Sequence, residues 1–198
     1  MKQMENIMPI NILIPMAGAG SRFQKAGYKN PKPLRRVVEN INMPKAHHIF
    51  IVQKKHIEDN PEIKEYLETC VGKASVVEIE GLTEGAACTT LLAKSFIDND
   101  EPLLICNADQ WVDWNAAHFV KFANRFDGAI PYFLSDSPKH SYSRVDFSTK
   151  LIVQVAEKQV ISNLATVGIY YWKKGSQYVS CAERMIDRNI RFNNEFYV

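Results

Sequence analysis

INILIPMAGAGSRF, residues 10–23, opens as an apolar strand and ends in a run of small residues. Residues 10–16 are almost wholly apolar, which suits a strand covered on both faces in a parallel sheet. Ala17, Gly18, Ala19 and Gly20 then leave bare backbone N–H groups where the strand stops. Such groups approach a phosphate closely, and the positive end of a following helix adds to the attraction. Phe23 stands where a dinucleotide fingerprint needs its third glycine, so NAD binding is disfavoured. The Gly-Lys-Ser/Thr of a Walker loop occurs nowhere in the chain.

The same strand pattern recurs further along. Residues 49–52 (IFIV), 76–79 (VVEI), 103–106 (LLIC) and 129–134 (AIPYFL) read as strands. Amphipathic stretches lie between them: 35–42, 61–69 behind Pro61, 85–97, and 115–126 with Asp113 or Asn115 as its cap. This alternation predicts an α/β sandwich with a mainly parallel central sheet. After residue 140 the pattern changes. SRVDF, LIVQVAE and ATVGIYYW predict a mixed or antiparallel extension, and residues 176–190 a last helix.

Composition narrows the function. The 198 residues carry 24 Lys and Arg against 22 Asp and Glu, a formal net charge of +2. With 46% hydrophobic and 23% charged residues, usage is that of an ordinary globular domain, not a disordered or fibrous chain. Basic residues are scattered, the longest runs being Arg35-Arg36, Lys54-Lys55 and Lys173-Lys174, so nucleic-acid binding is not expected. Apolar runs fall short of the about 18 residues of a membrane span. The N-terminus reads as a strand leading in, not as a signal peptide. Cysteines 70, 88, 106 and 181 form no CxxC pair, which argues against zinc and for a reduced, cytoplasmic protein.

Four segments carry candidate chemistry. Arg22 follows the glycine turn, and Lys32 sits between Pro31 and Pro33, which would present it from a stiff loop. A glycine loop with Arg and a rigidly held Lys suits a triphosphate and its developing charge. Cys106-Asn107-Ala108-Asp109-Gln110 closes the fourth strand. A carboxylate there, opposite a phosphate loop, is placed to hold Mg²⁺ against phosphate oxygens. Asp113 reads as a helix cap or a second ligand. Leu82-Thr83-Glu84-Gly85-Ala86-Ala87 either lets a flat ring lie on the backbone or simply starts a helix. Glu157-Lys158, followed by Ser162 and Thr166-Val167-Gly168, either faces a pocket or is a surface charge pair. The five histidines form no catalytic pattern, and without a nucleophile elbow hydrolase chemistry is not expected.

IPMAGAGSRF followed by PKPL resembles the signature of the sugar-phosphate nucleotidylyltransferases. CNADQ is similar to that family's strand-end aspartate, and VAEKQVISNLATVGIYYW to its Glu-Lys … Ser-x-x-Ala-x-x-Gly-x-Tyr segment. The likeness spans residues 10–198 and looks closest to the small bacterial branch linked to capsule and lipopolysaccharide building blocks. It implies one domain over residues 1–198 with a Rossmann-like α/β/α sandwich and a mainly parallel, mixed central sheet. It implies an enzyme that joins an NTP to a phosphorylated small acceptor, a sugar phosphate, with release of pyrophosphate. Gly18, Ala19, Gly20, Ser21 and Arg22 match the triphosphate loop, and Lys32 the lysine that grips phosphate. Glu84 and Gly85 match the base-contacting segment, and Asp109 the Mg²⁺ ligand. Glu157, Lys158 and Val167 match acceptor positions. The family leaves room for a homo-oligomer.

A cytidylyltransferase acting on a non-sugar phosphate is an alternative, because the fold serves both. A nucleotide-binding regulator without chemistry is a third, against which Arg22, Lys32 and Asp109 speak. The family places a strand and turn between PKPL and the next helix, whereas Leu34 here joins Arg35 directly. We therefore expect Leu34 Cα and Arg35 Cα to lie much farther apart than the ~3.8 Å of a trans peptide. The second metal-binding aspartate of the family has no clear candidate here, and further chain is expected after Val198.

Overall fold

The structure is a computed structural model. It describes residues 8–18 and 32–198, apart from the side chains of Lys32 and Pro33. The first half alternates strands and helices: β1 (Ile10–Pro15), α1 (Lys32–Ile41), β2 (Ala46–Gln53), α2 (Lys54–Asp59), α3 (Glu62–Thr69), β3 (Ala74–Ile79), α4 (Ala86–Leu91), α5 (Lys94–Ile97), β4 (Leu103–Cys106) and α6 (Ala116–Ala123). Then come β5 (Gly128–Ala129), β6 (Tyr132–Leu134), β7 (Tyr142–Asp146), β8 (Leu151–Ala156), β9 (Leu164–Thr166), β10 (Ile169–Trp172) and α7 (Gly175–Asp187). The main sheet has the order β3-β2-β1-β4-β10-β5. β3, β2, β1 and β4 are parallel, and β10 runs antiparallel to both β4 and β5. A smaller antiparallel sheet has the order β6-β9-β7-β8.

Strand periodicity explains the layers. Successive side chains point to opposite faces. Ile10, Ile12, Ile14, Phe50 and Leu104 pack with Val38 and Ile41 of α1, Leu67 of α3 and Ala123 of α6. Leu13, Ile49, Ile51, Leu103 and Ile105 pack on the other face with Ile97 of α5 and Tyr178, Val179 and Ala182 of α7. Burying one such aliphatic side chain contributes about 1.5–3 kcal/mol. Losing either layer would therefore remove more than the about 5–15 kcal/mol of net stability usual for a domain.

The mainly parallel, mixed sheet between helices is the fold expected from the sequence. Its details differ in several places, one being that ATVGIYYW divides between β9 of the small sheet and β10 of the main one. Residues 129–134 are two strands, because Pro131 breaks the run: Ala129 pairs with Tyr171 in the main sheet and Tyr132 with Thr166 in the small one. Residues 85–97 are two short helices. Thr90 Oγ1 donates back to the Ala87 carbonyl at 2.8 Å, and the Leu92 and Ala93 N–H groups reach carbonyls only three residues back. Helix α2 is unexpected, and it buries no side chain that could give a periodic signal. Of the two caps the sequence offers for α6, Asn115 is the one observed, accepting the His118 N–H at 2.9 Å.

The expectations at PKPL need correction. Lys32 is not held in a proline-braced loop but opens α1, with Pro33 in the first turn, where its missing N–H costs nothing. The same helix runs without interruption through Leu34 and Arg35, so the expected separation is not found. Among the described residues, no helix is long and apolar enough to cross a membrane.

His48 of β2 is an internal cost. It is fully buried beside Phe50, and neither ring nitrogen has a hydrogen-bond partner among the described residues. Burial, with His47 adding to it, lowers its pKa to about 4. Between the about 6.5 of an unfolded histidine and that value, only the unfolded chain binds the proton. Stability is therefore full above this window and falls by about 3 kcal/mol as pH drops through it. His48→Leu should abolish that fall. Urea midpoints of both proteins between about pH 7 and about pH 4.5 check this, and parallel pH dependences would contradict it.

Candidate functional site

Parallel strands end together, so β1, β2 and β4 open onto one edge of the sheet. From β1 the chain moves outward through α1 to β2, whereas β4 lies on the other side of β1. The order thus reverses between β1 and β4, which is where ligands of open α/β sheets bind.

The end of β1 is held from two sides. Met16 N–H donates to the Ile51 carbonyl at 2.9 Å, and the Gln53 amide donates to the Ala17 carbonyl at 2.5 Å. Gly18 is exposed, and a Cβ added there would meet nothing within 4 Å among the described residues. Ala19, Gly20, Ser21 and Arg22 lie outside the described residues, and so does the side chain of Lys32.

Beside it, β4 runs into Asn107–Gln110, with Asp109 exposed in a turn. Two contacts fix this loop. Asn107 N–H donates to the Gly168 carbonyl at 3.1 Å, and the Asn107 amide donates to Gln110 Oε1 at 3.4 Å. Gly168, at φ +72°, packs directly on both side chains, where a Cβ would collide with them. Val167, next to it, donates to the Pro131 carbonyl at 3.2 Å. The link between the two sheets is thereby seated on the Asp109 loop.

Glu157 and Lys158 lie just beyond β8, which ends at Ala156. Strand alternation no longer separates them. Lys158 takes a left-handed φ of +50°, and its Nζ comes within 3.9 Å of Glu157 Oε1. Glu157 is the more buried, at 18% side-chain exposure against 47%, and accepts a hydrogen bond from the Ser141 hydroxyl. Ser162 ties the small sheet together: its hydroxyl donates to the Ser143 carbonyl at 2.6 Å and accepts the Leu164 N–H at 3.0 Å.

The 83–87 segment makes contacts that the sequence pattern does not announce. Gly85 has φ +135°, and a Cβ there would lie 2.5 Å from the Phe196 backbone nitrogen. Phe196 N–H donates to the Glu84 carbonyl at 2.9 Å, and Ala87 N–H donates to the Phe196 carbonyl at 3.0 Å. Arg191 Nη1 reaches Glu84 Oε2 at 2.6 Å, with its guanidinium 4.0 Å from the Phe196 ring centre. The Glu84 carboxylate is thus paired with Arg191, and the Glu84 carbonyl and Ala87 N–H are taken up by the Phe196 backbone. The turn behind this contact has its signal in the sequence: Asn189, Asn193 and Asn194 all adopt positive φ, which asparagine tolerates better than most residues.

The sequence profile described as Nucleotidyl transferase matches residues 17–189. This chain belongs to the nucleotidyl transferase family. Solved structures agree on the fold of this nucleotidyl transferase. A nucleoside-diphosphate-sugar pyrophosphorylase from Vibrio cholerae RC9 aligns at a TM-score of 0.75 with 22% identity, over 94% of this chain and 84% of that one. A UDP-glucose pyrophosphorylase in complex with UDP-glucose aligns at 0.69 with 16% identity, over 96% and 84%. HddC from Yersinia pseudotuberculosis aligns at 0.60 with 16% identity, over 86% and 79%. No curated protein matches the sequence.

Gly85→Ala tests the packing of the tail on this nucleotidyl transferase's 84–87 segment. Positive φ and a collision with backbone should together cost about 2–4 kcal/mol and free the peptide around Asn193 to proteases. Urea denaturation and limited proteolysis measure both, and wild-type values would contradict the contact.

Proposed function

We propose that this nucleotidyl transferase moves a nucleoside monophosphate from an NTP to a phosphorylated small acceptor, a sugar phosphate, and releases pyrophosphate. The observation that carries this reading is that Gly18 and the Asp109 loop follow the ends of adjacent parallel strands, β1 and β4, where the sheet order reverses. Open backbone at one strand end and a carboxylate at the next provide for a phosphate chain and its metal. The sugar-nucleotide pyrophosphorylases among the structural neighbours support a sugar phosphate as acceptor. Such a reaction needs an NTP supply, so we place the protein in the cytoplasm.

In this reading an oxygen of the acceptor phosphate attacks the α-phosphorus. The new P–O bond forms as the bond to the β-phosphate oxygen breaks, and pyrophosphate leaves with that electron pair. The attacking phosphate is already a nucleophile, so no residue need be activated, and catalysis is positioning and charge neutralisation. Gly18 to Ser21 receive the triphosphate, and Arg22 and Lys32 stabilise its charge. The backbone at Glu84 and Gly85 receives the base. Glu157, Lys158 and Val167 receive the acceptor, with Lys158 on its phosphate.

The exposed carboxylate of Asp109 suits Mg²⁺, which is usually held by one or two carboxylates plus substrate phosphates and water. Asp109 would supply the carboxylate, and the bound ion would neutralise and orient the triphosphate.

Pyrophosphate release across four NTPs and a panel of sugar phosphates tests the proposal. One pair should turn over with Mg²⁺. Arg22→Ala and Lys32→Ala should each lower kcat by on the order of 10²-fold or more. Asp109→Asn should weaken metal dependence and turnover together, with little loss of stability. Turnover at the wild-type rate in these variants would refute the assignment.

A further inference from the structure

The Tyr197 ring lies beneath the lysine to which the proposed function gives the acceptor phosphate. The Lys158 ammonium lies 5.9 Å from the centre of the Tyr197 ring and 3.9 Å from Glu157 Oε1. Lys158 is half exposed, and a lysine side chain carries about 2 kcal/mol of rotamer entropy. Something must hold it if its charge is to meet a phosphate at a fixed place. A carboxylate alone would draw the ammonium toward itself. A ring face attracts the cation without supplying a competing charge.

The ring is itself well fixed. Tyr197 follows Phe196, which is 2% exposed and bound through both its backbone polar groups to the 84–87 segment. The turn before it is closed by Phe192 and Glu195, which exchange backbone hydrogen bonds at 3.0 and 2.9 Å. Phe192 then packs edge-on against Tyr197. Arg191 clamps this turn from behind through Glu84, the Asn194 carbonyl and the Phe196 ring. A peptide bonded to the base-contacting segment is therefore followed directly by a ring on the acceptor lysine.

We propose that Tyr197 is a positioning residue for the acceptor: its ring sets Lys158, and Phe196 registers that ring against the nucleobase segment. The inference rests on the acceptor role of Lys158. It distinguishes Tyr197, which acts on acceptor binding, from Arg191, which secures the turn as a whole.

The test compares Tyr197→Ala and Tyr197→Phe with the wild type, each purified as the full chain. An exposed cation–ring contact corresponds to about a 2–5-fold effect. Tyr197→Ala should raise the acceptor KM by that factor. It should leave kcat at saturating acceptor, and NTP affinity measured without acceptor, unchanged. Tyr197→Phe keeps the ring and should restore the wild-type KM. In NMR spectra of lysine-labelled protein, the ring-current shift at Lys158 Hε should vanish in Tyr197→Ala and persist in Tyr197→Phe. An unchanged acceptor KM in Tyr197→Ala, a Phe variant as impaired as the Ala one, or a parallel loss of NTP affinity would overturn the inference alone. A wild type without turnover on any NTP and sugar phosphate would overturn the functional reading, and this one with it.

Discussion

Ile12 and Leu104 face one helical layer while Leu13 and Ile105 face the other, and all four are buried. Two-sided burial of β1 and β4 is the constraint on which the rest of this molecule depends. With helices over both faces, the strands offer a ligand only their ends. At the carboxyl ends the chain must turn away, and its backbone groups lose their sheet partners. Small residues after β1 and a polar turn after β4 are what such an edge requires, and both lie where the order of the sheet reverses. The same burial that stabilises the fold therefore fixes where charge and open backbone can meet.

The proposed acceptor side is built differently. It belongs to a small antiparallel sheet that reaches the main one through Val167 and Gly168. The left-handed turn at Gly168 packs on Asn107 and Gln110, so the two halves of the site share one contact. The tail supplies a second link, from the 84–87 backbone to Lys158. These links are hydrogen bonds and close packing, and neither is a large hydrophobic interface. They hold geometry at modest energetic cost, which suits a reaction that depends on placing two phosphates.

The parallel strands are legible in the sequence because burial on both sides forces runs such as LLIC, and its predicted limits, 103–106, are those observed. Glu157 and Lys158 are not, because their relation depends on β8 stopping at Ala156 and on a positive φ that lysine does not announce. PKPL misleads for a related reason: proline permits a first helical turn as readily as a loop. The tail carries no periodic signal. Its three asparagines mark a turn, but only the folded chain shows that the turn lands on Gly85. Helix α2, with no buried face, leaves no pattern to read.

The central claim is that nucleotide binds at the strand-end edge between β1 and β4. Backbone-amide NMR during titration with a non-hydrolysable NTP and Mg²⁺ tests it most directly. The account predicts that the largest shifts fall at Gly18, at Glu84 to Ala87 and at Asn107 to Gln110, with β8 unmoved. Shifts gathered instead in the open cavity beside Lys45 and Lys73, at the far end of β2, would contradict it.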